Sequence, residues 1–190
     1  MNLNLKDKNF IVTGSSGGIG LGIALTLLNE GSNVFITALN SKKLIKTYDK
    51  LKLNYSQNVL ANYGNINLNK TIIEIENIVK DKWNNKVDGI VANAGGVKNI
   101  SEWNIKNDDW EWYFENNFYS AVNFISRFLP RLIESKGSIV VTGSIAGIED
   151  VGAPIPYSVT KAALKTYVKS LSKKIAQYEV RINTISPGKL

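Results

Sequence analysis

Tyr157 and Lys161 stand four positions apart in a stretch with helical patterning. This spacing places two side chains on the same face of a helix, one turn apart. An ammonium beside a phenol favours the phenolate, so such a pair can donate and accept a proton. The pattern indicates general acid–base chemistry with Tyr157 as the proton-transferring group. An exposed pair without chemistry would show the same spacing, so other motifs must decide between the two.

The composition restricts which chemistry is available. The chain of 190 residues contains no Cys and no His. These absences exclude a disulfide framework, a thiolate nucleophile, a Ser-His-Asp triad and a His-ligated metal site, and we expect no metal. Acid–base work must use Asp, Glu, Tyr, Lys or water. The hydrophobic share of 44% and the charged share of 21% are typical of a soluble globular protein.

The charge balance is basic, with 23 Lys+Arg against 16 Asp+Glu. The lysines are scattered and arginine is scarce, so we expect no nucleic-acid partner, although a positive field favours anionic ligands. Residues 1–8 are polar and do not resemble a signal peptide. No apolar run has the length of a membrane span, so we expect a cytoplasmic protein without a membrane partner.

Apolar runs alternate with amphipathic stretches along the chain. The predicted strands are Asn9–Thr13, Asn33–Ala38, Val59–Ala61, Val87–Ala92, Ser138–Thr142 and Val180–Ile185. The predicted helices are Gly18–Glu30, Ser41–Leu53, Leu68–Trp83, Asp108–Ser135 and Pro156–Tyr178. Ser41 is expected to cap the second helix, and Pro156 to open the last one. The alternation predicts an α/β fold, a doubly wound parallel sheet with helices on both faces, in one domain over residues 1–190.

A glycine-rich segment, Thr13–Gly20, joins the first predicted strand to the first predicted helix. Glycines there allow a tight turn and close approach of a pyrophosphate, and the helix N-terminus attracts anions. A glycine-rich turn that binds nothing is the alternative.

The spacing Thr-Gly-x-x-x-Gly-x-Gly resembles the short-chain dehydrogenase/reductase family. The family's other motifs follow in order: Asn93-Ala94-Gly95, an Asn at 117, Thr142-Gly143-Ser144, Tyr157-x-x-x-Lys161 and Pro187-Gly188. Residues 37–44 are similar to the 3-oxoacyl-carrier-protein reductase branch. Together these motifs cover nearly the whole chain.

The resemblance implies a Rossmann-type sheet and hydride transfer between a nicotinamide dinucleotide and a carbonyl or secondary alcohol. Tyr157 is then the acid–base group, Lys161 assists it and binds ribose, Ser144 orients the substrate, and Asn117 holds a water in a proton path. The implied cofactor-binding residues are Gly14, Ser15, Ser16, Gly18, Ile19, Gly20, Leu39, Asn40, Lys42, Asn65, Asn93, Ala94, Gly95, Tyr157, Lys161, Pro187 and Gly188. A nucleotide-binding member with a sensing or structural role is the alternative function.

The end of the second predicted strand bears on the cofactor subtype. An acidic residue there usually binds the adenosine 2′-hydroxyl and selects NAD, but this chain has Ala38. The following residues 40–42, Asn-Ser-Lys, can receive a 2′-phosphate, so NADP(H) is favoured over NAD(H). Leu39 stands where many NADP-dependent relatives have arginine, and Asn65 replaces the family's adenine-contacting Asp.

Family chains continue beyond the Pro-Gly motif into a substrate lid and a further strand, so we expect this chain to be C-terminally incomplete for the family. The substrate is expected to be a small carbonyl or alcohol, and a 3-oxoacyl thioester and a sugar or polyol both remain open. The expected pocket is apolar with one positive charge at its rim, and its lining is Gly96, Val97, Lys98, Ile145, Ala146, Val151, Ile155 and Pro156.

The long predicted helix carries more aromatic residues than one sheet-facing stripe requires. They are Trp110, Trp112, Tyr113, Phe114, Phe118, Tyr119, Phe124 and Phe128. Cover by the sheet and loops is one explanation. The resemblance implies another, a twofold interface with the last helix that makes a homodimer or homotetramer. We expect a dimer for residues 1–190 and a tetramer for a longer form.

Overall fold

A single parallel sheet organises the chain, and the computed structural model describes residues 3–188 of it. Its strands are β1 Asn9–Thr13, β2 Asn33–Ala38, β3 Val59–Tyr63, β4 Gly89–Ala92, β5 Ser138–Thr142 and β6 Arg181–Ile185. Their order is β3-β2-β1-β4-β5-β6, and every neighbouring pair is parallel. The predicted doubly wound, Rossmann-type sheet is confirmed.

Helices cover both faces of this sheet, which explains why its strands are nearly continuous apolar runs. They are α1 Gly18–Asn29, α2 Ser41–Tyr55, α3 Asn69–Trp83, α4 Asn107–Phe114, α5 Ser120–Ser135 and α6 Ile155–Ile175. Successive β1 residues point to opposite faces: Val12 packs with α1 and α2, while Ile11 packs with α3, α5 and α6. Within residues 3–188, every helix is too short or too polar to cross a bilayer.

The predicted helix Asp108–Ser135 is wrong as one continuous α-helix. A π-helical segment, Glu115–Tyr119, separates α4 from α5. π-Helical turns are rare and are found mostly at functional sites. This turn contains Asn117, whose side chain is only 1% exposed.

Smaller corrections concern the element ends. The helix predicted to start at Pro156 starts at Ile155, and a 3₁₀ turn, Ala176–Tyr178, follows α6. The strands β4 and β6 start two residues and one residue later than predicted, and β3 runs on to Tyr63. The cap of α2 is Asn40, not Ser41, because the Asn40 side chain accepts a hydrogen bond from the Lys43 amide.

Candidate active site

The carboxyl ends of β1 and β4 meet where the strand order reverses, which is where open α/β sheets bind ligands. Thr13 Oγ1 accepts hydrogen bonds from the amides of Asn93 and Ala94, both at 2.9 Å. Asn93 Nδ2 donates to the carbonyls of Thr13 at 3.1 Å and Gly14 at 3.2 Å. These bonds fix the two strand ends, and with them the first residues of the glycine-rich turn.

The glycine-rich turn packs tightly on one side and is open on the other. A Cβ at Gly20 would lie 2.4 Å from the Gly14 carbonyl oxygen and 2.6 Å from Asn93 Nδ2, so α1 can approach β1 and β4 only with glycine there. A Cβ at Gly18 would meet nothing within 4 Å. Open space therefore lies before the first turn of α1, where exposed amides and the helix dipole suit a pyrophosphate.

The Ser15 hydroxyl is fully buried and is used inside the protein. It donates to the Val12 carbonyl at 2.6 Å and accepts from the Thr37 amide at 3.0 Å, and so ties β1 to β2. Ser15 was a predicted cofactor-binding residue. Its hydroxyl and its amide, which donates to the Thr37 carbonyl at 3.1 Å, both have a structural use.

Two neighbouring cavities lie along the carboxyl edge of the sheet, and Gly95 lines both. The first, of about 140 Å³, is lined by Gly14, Thr37, Ala38, Leu39, Gly64, Asn65, Ile66, Asn67, Ala94, Gly95, Asn116 and Ser120. The second, of about 290 Å³, is lined by Ile19, Asn93, Gly95, Gly96, Val97, Asn117, Thr142, Gly143, Ser144, Tyr157, Lys161, Pro187 and Gly188. We call them the adenosine-side cavity and the tyrosine cavity.

The structure brings most of the predicted site residues to these two cavities. All four predicted catalytic residues line the tyrosine cavity: Asn117, Ser144, Tyr157 and Lys161. Six predicted cofactor-binding residues line neither cavity: Ser15, Ser16, Gly18, Gly20, Asn40 and Lys42. Glycine positions 18 and 20 shape the turn, whereas the Asn40 carboxamide oxygen is used as the α2 cap.

Ser144 follows β5 and caps the 3₁₀ turn Ile145–Gly147. Its Oγ accepts a hydrogen bond from the Ala146 amide at 3.2 Å. A hydroxyl that accepts this bond keeps its own proton to donate. Ser144 can therefore donate a hydrogen bond to an oxygen atom in the tyrosine cavity.

Lys161 is a buried lysine with a defined position, since only 5% of it is exposed. Its Nζ donates to the Thr142 carbonyl at 2.9 Å and lies 5.7 Å from the centroid of the Tyr157 ring. Burial lowers the pKa of Lys161 from 10.5 to about 8 because the charged form is desolvated. Lys161 can therefore exchange a proton close to neutral pH while it sits beside the phenol.

Both polar atoms of the Asn117 carboxamide form hydrogen bonds with the backbone of Gly96. Its Oδ1 accepts from the Gly96 amide, and its Nδ2 donates to the Gly96 carbonyl, both at 3.0 Å. A Cβ at Gly95 would lie 2.7 Å from Asn117 Oδ1 and 3.7 Å from Lys161 Nζ, so both side chains converge on Gly95. The π-helical turn thus aims Asn117 at the loop that follows β4.

Tyr113, one turn before Asn117, was not predicted to take part in the site. It is fully buried, and its hydroxyl donates to the Lys98 carbonyl at 2.6 Å and accepts from the Lys98 amide at 2.9 Å. Burial raises the pKa of Tyr113, so the hydroxyl keeps its proton. Its ring meets the Tyr157 ring edge-on at 6.4 Å. The four-residue spacing to Asn117 was the signal that could have identified it.

The expected positive charge at the pocket rim is neutralised. Lys98 Nζ lies 2.8 Å from Asp109 Oδ1 and 4.7 Å from the centroid of the Trp112 ring. Of the expected lining residues, Gly96 and Val97 line the tyrosine cavity. Ala146 and Ile155 line a different cavity, of about 420 Å³, between the 3₁₀ turn and α6.

Unpartnered buried oxygens show what the two cavities can hold. Within residues 3–188, the buried side-chain atoms without a hydrogen-bond partner are Thr37 Oγ1, Asn67 Oδ1, Thr142 Oγ1 and Thr184 Oγ1. Three of these four residues line the adenosine-side or the tyrosine cavity. A buried polar atom without a partner costs about 1–3 kcal/mol, so these cavities favour a polar ligand. An open glycine turn between them fits a dinucleotide.

Comparison with known proteins agrees with this geometry. A family model described as short chain dehydrogenase matches residues 8–190. The uncharacterized oxidoreductase YvaG of Bacillus subtilis is 32% identical over 99% of this chain and 70% of its own length. The 3-oxoacyl-[acyl-carrier-protein] reductase of Chlamydia pneumoniae is 30% identical over 99% of this chain and 75% of its own.

A solved structure extends the likeness to the fold. The L-sorbose reductase of Gluconobacter frateurii, complexed with NADPH and L-sorbose, matches with a TM-score of 0.92 at 27% identity. The match covers 99% of this chain and 72% of that one. The family match over nearly all of the chain, the parallel sheet and the motifs gathered at its carboxyl edge lead to one conclusion: this chain belongs to the short-chain dehydrogenase family of oxidoreductases.

Proposed function

We propose that this chain transfers a hydride between NADP(H) and a carbonyl or secondary alcohol of a small molecule, within a single dinucleotide-binding domain. The observation that carries the proposal is the tyrosine cavity. It gathers Asn117, Ser144, Tyr157 and Lys161 around about 290 Å³ of space beside the glycine-rich turn. A cavity with a proton donor, a buried ammonium and a hydroxyl has the groups that carbonyl reduction requires.

The chain's own residues handle the proton and the substrate oxygen. In reduction the Tyr157 hydroxyl donates its proton to that oxygen, and in the reverse direction the Tyr157 phenolate takes the proton back. Ser144 donates a hydrogen bond to the same oxygen and holds it in place. The Lys161 ammonium stabilises the phenolate that remains. The bound dinucleotide supplies or accepts the hydride.

Lys161 and Asn117 connect Tyr157 to solvent in this proposal. The lowered pKa of Lys161, about 8, allows its ammonium to release and regain a proton during turnover. Asn117 holds a water beside Lys161, which completes a proton path. This proton path is supported by the positions of the Asn117 and Lys161 side chains, which both approach Gly95.

The residues along the two cavities would hold the cofactor. The open turn at Gly18 would receive the pyrophosphate, Leu39 and Asn65 would hold the adenosine, and Lys161 would bind the nicotinamide ribose. No residue among those lining the adenosine-side cavity, all within the described range 3–188, is acidic. A carboxylate at that place would repel a 2′-phosphate, and its absence supports NADP(H) over NAD(H).

The proposal is tested by following the nicotinamide absorbance of NADPH in the presence of carbonyl compounds. The first panel contains 3-oxoacyl thioesters, L-sorbose and related ketoses, and small diketones, since relatives carry names for the first two classes. NADPH consumption that depends on one of these compounds supports the proposal. NADPH binding with no turnover across a broad panel would favour a nucleotide-binding role without catalysis.

We also propose that two copies pair through the segment that comprises α4, the π-helical turn and α5, together with α6. Of the aromatic residues expected at this interface, Tyr113, Phe124 and Phe128 are fully buried within the chain. Phe118 stacks edge-on against Tyr119 and against Tyr167 of α6, and Tyr119 remains 42% exposed. Light scattering at micromolar concentration tests the proposal. A dimer is expected, and a fully active monomer would contradict it.

A further inference from the structure

The ammonium of Lys43 lies against the glycine-rich turn. A Cβ built at Gly17 would stand 2.7 Å from Lys43 Nζ and 2.9 Å from Lys43 Cε. Gly17 immediately precedes α1, and Lys43 belongs to the first turn of α2. The sequence had pointed instead to the neighbouring Lys42 as a phosphate-binding residue.

Two hydrogen bonds explain why Lys43 and not Lys42 reaches the turn. The Asn40 cap accepts from the Lys43 amide at 2.9 Å and fixes where α2 starts. Further along the helix, Thr47 Oγ1 donates to the Ser16 carbonyl at 3.0 Å and fixes which face of α2 meets the turn. Lys43 is one turn before Thr47 on that face, whereas Lys42 is rotated from it by about 100°.

The Lys43 charge has no acidic neighbour to neutralise it. None of the ion pairs formed within residues 3–188 involves Lys43. The adenosine-side cavity, whose lining includes Ala38 at the end of β2 and Leu39 in the loop before α2, presents no carboxylate in the described part of the chain. An ammonium in this setting is available to an anionic ligand.

We propose that Lys43 is the residue that selects NADPH over NADH, by binding the 2′-phosphate of the adenosine ribose. The inference rests on the proposed function, since it assumes a dinucleotide in the crevice. In this fold the pyrophosphate lies at the start of α1 and the adenosine ribose at the end of β2. Lys43 Nζ lies beside Gly17, the residue immediately before α1, and Lys43 itself follows the end of β2 at Ala38 by five positions. A phosphate accepts charge-assisted hydrogen bonds from an ammonium, and NADH has only a hydroxyl at that position.

The test measures dissociation constants of NADPH and NADH by fluorescence titration of the 190-residue chain and three variants. Lys43→Met removes the ammonium, and Lys42→Met removes the same charge one residue away. Gly17→Ala keeps the lysine but places a methyl group 2.7 Å from the present position of Nζ, so the ammonium must move away from the turn. The Gly17 backbone is extended, with φ 176°, so alanine fits there without strain. Circular dichroism confirms that each variant folds.

Lys43→Met should weaken NADPH binding about tenfold and leave NADH binding within about twofold. Gly17→Ala should weaken NADPH binding in the same selective way, and Lys42→Met should change neither constant more than about twofold. The wild-type preference for NADPH should shrink as salt is added, and the Lys43→Met variant should lack this salt effect.

Two sets of results distinguish a failure of the proposed Lys43 role from a failure of the proposed oxidoreductase function. Equal losses in Lys43→Met and Lys42→Met, or an unchanged NADPH preference in Lys43→Met, would overturn the role of Lys43 and leave the oxidoreductase proposal standing. A wild-type chain that folds but binds neither dinucleotide would refute the proposed function and, with it, this inference.

Discussion

The two ends of the crevice use their polar side chains differently. Near the glycine-rich turn two polar side chains bond to the protein itself: the Ser15 hydroxyl to β1 and β2, and the Asn40 carboxamide to α2. Around the tyrosine cavity, Ser144 and Tyr157 present hydroxyls to the cavity itself. The turn therefore offers a ligand its backbone, open space and the Lys43 ammonium, whereas the tyrosine cavity offers side-chain hydroxyls.

Because of this difference, a substitution at the glycine-rich turn tests shape, and a substitution at the tyrosine cavity tests chemistry. At a tightly packed glycine of the turn such as Gly20, an added methyl group would displace backbone, so ligand binding and stability are expected to change together. At the tyrosine cavity, removal of one atom can abolish chemistry while the fold stays intact. Substitutions at both ends test this division, and the expected change in free energy becomes smaller from Tyr157→Phe to Tyr113→Phe.

Tyr157→Phe removes the hydroxyl and keeps the ring, so it isolates the chemistry. We expect turnover to fall at least about 10²-fold, because the proton donor is lost. NADPH affinity should stay within about threefold, since the glycine-rich turn is untouched. Steady-state rates with the best substrate of the panel and fluorescence titration of NADPH measure the two effects. Substantial residual turnover would show that Tyr157 is not the required acid–base group.

Lys161→Met removes the buried ammonium, and its effect on stability depends on pH. The pKa of Lys161 falls from 10.5 in the unfolded chain to about 8 in the folded one. Between these values the unfolded chain binds a proton that the folded chain has released, so wild-type stability gains with rising pH. Below about pH 8 the wild type carries a burial cost on the order of 3 kcal/mol that the methionine variant lacks.

Urea unfolding of both proteins at about pH 7 and about pH 10 measures this cost. The stability of the wild type relative to the variant should rise by a few kcal/mol between the two conditions. Lys165→Met, at an exposed position of the same helix, is the matched control and should show no such change. A pH-independent difference for Lys161→Met would mean that its ammonium is not buried as described.

The fold was largely predictable because it depends on patterns that are local in sequence. Apolar runs and helical periodicity identified six strands and most helices, with ends wrong by a few residues. The π-helical turn at Glu115–Tyr119 was not predictable from such patterns. The turn holds Asn117, whose side chain bonds to Gly96, a residue about twenty positions away that only the folded sheet brings close.

The site was predictable as a set of motifs, but not in the use of each side chain. Nothing in the sequence shows that the Ser15 hydroxyl bonds to β2, or that Asp109 neutralises Lys98. Whether Lys42 or Lys43 faces the glycine-rich turn depends on the α2 cap and on one tertiary hydrogen bond. Motifs report which residue types are present, whereas packing decides which atoms remain free to bind.

Gly20→Ala tests whether the turn is limited by shape. The new methyl group would meet the Gly14 carbonyl oxygen at 2.4 Å, so backbone must move, and we expect a loss of about 1–3 kcal/mol. NADPH affinity should fall as well, because the turn is displaced. Gly22→Ala on the same helix is the control: its Cβ meets nothing within 4 Å, and alanine favours a helix. Equal stability of the two variants would contradict the tight packing.

Tyr113→Phe tests whether the division between the two ends is complete. Tyr113 lies beside the tyrosine cavity, yet its hydroxyl is used inside the protein, on the amide and carbonyl of Lys98. Phenylalanine keeps the edge-on contact with Tyr157 but leaves both Lys98 groups without this partner. We expect a stability loss of about 1–2 kcal/mol and faster hydrogen exchange at the Lys98 amide.

Gly96 and Val97, which directly precede Lys98, form part of the wall of the tyrosine cavity, so the same variant should raise KM for the substrate more than it lowers kcat. Tyr55→Phe, whose hydroxyl bonds to Asn29 at an exposed position, is the matched control for losing a phenol hydroxyl. An unchanged KM in Tyr113→Phe would confine Tyr113 to stability. A raised KM would show that the tyrosine cavity, too, depends on a polar group that bonds only to the protein. The Tyr113 hydroxyl would then determine where the substrate is held by positioning the loop at Lys98.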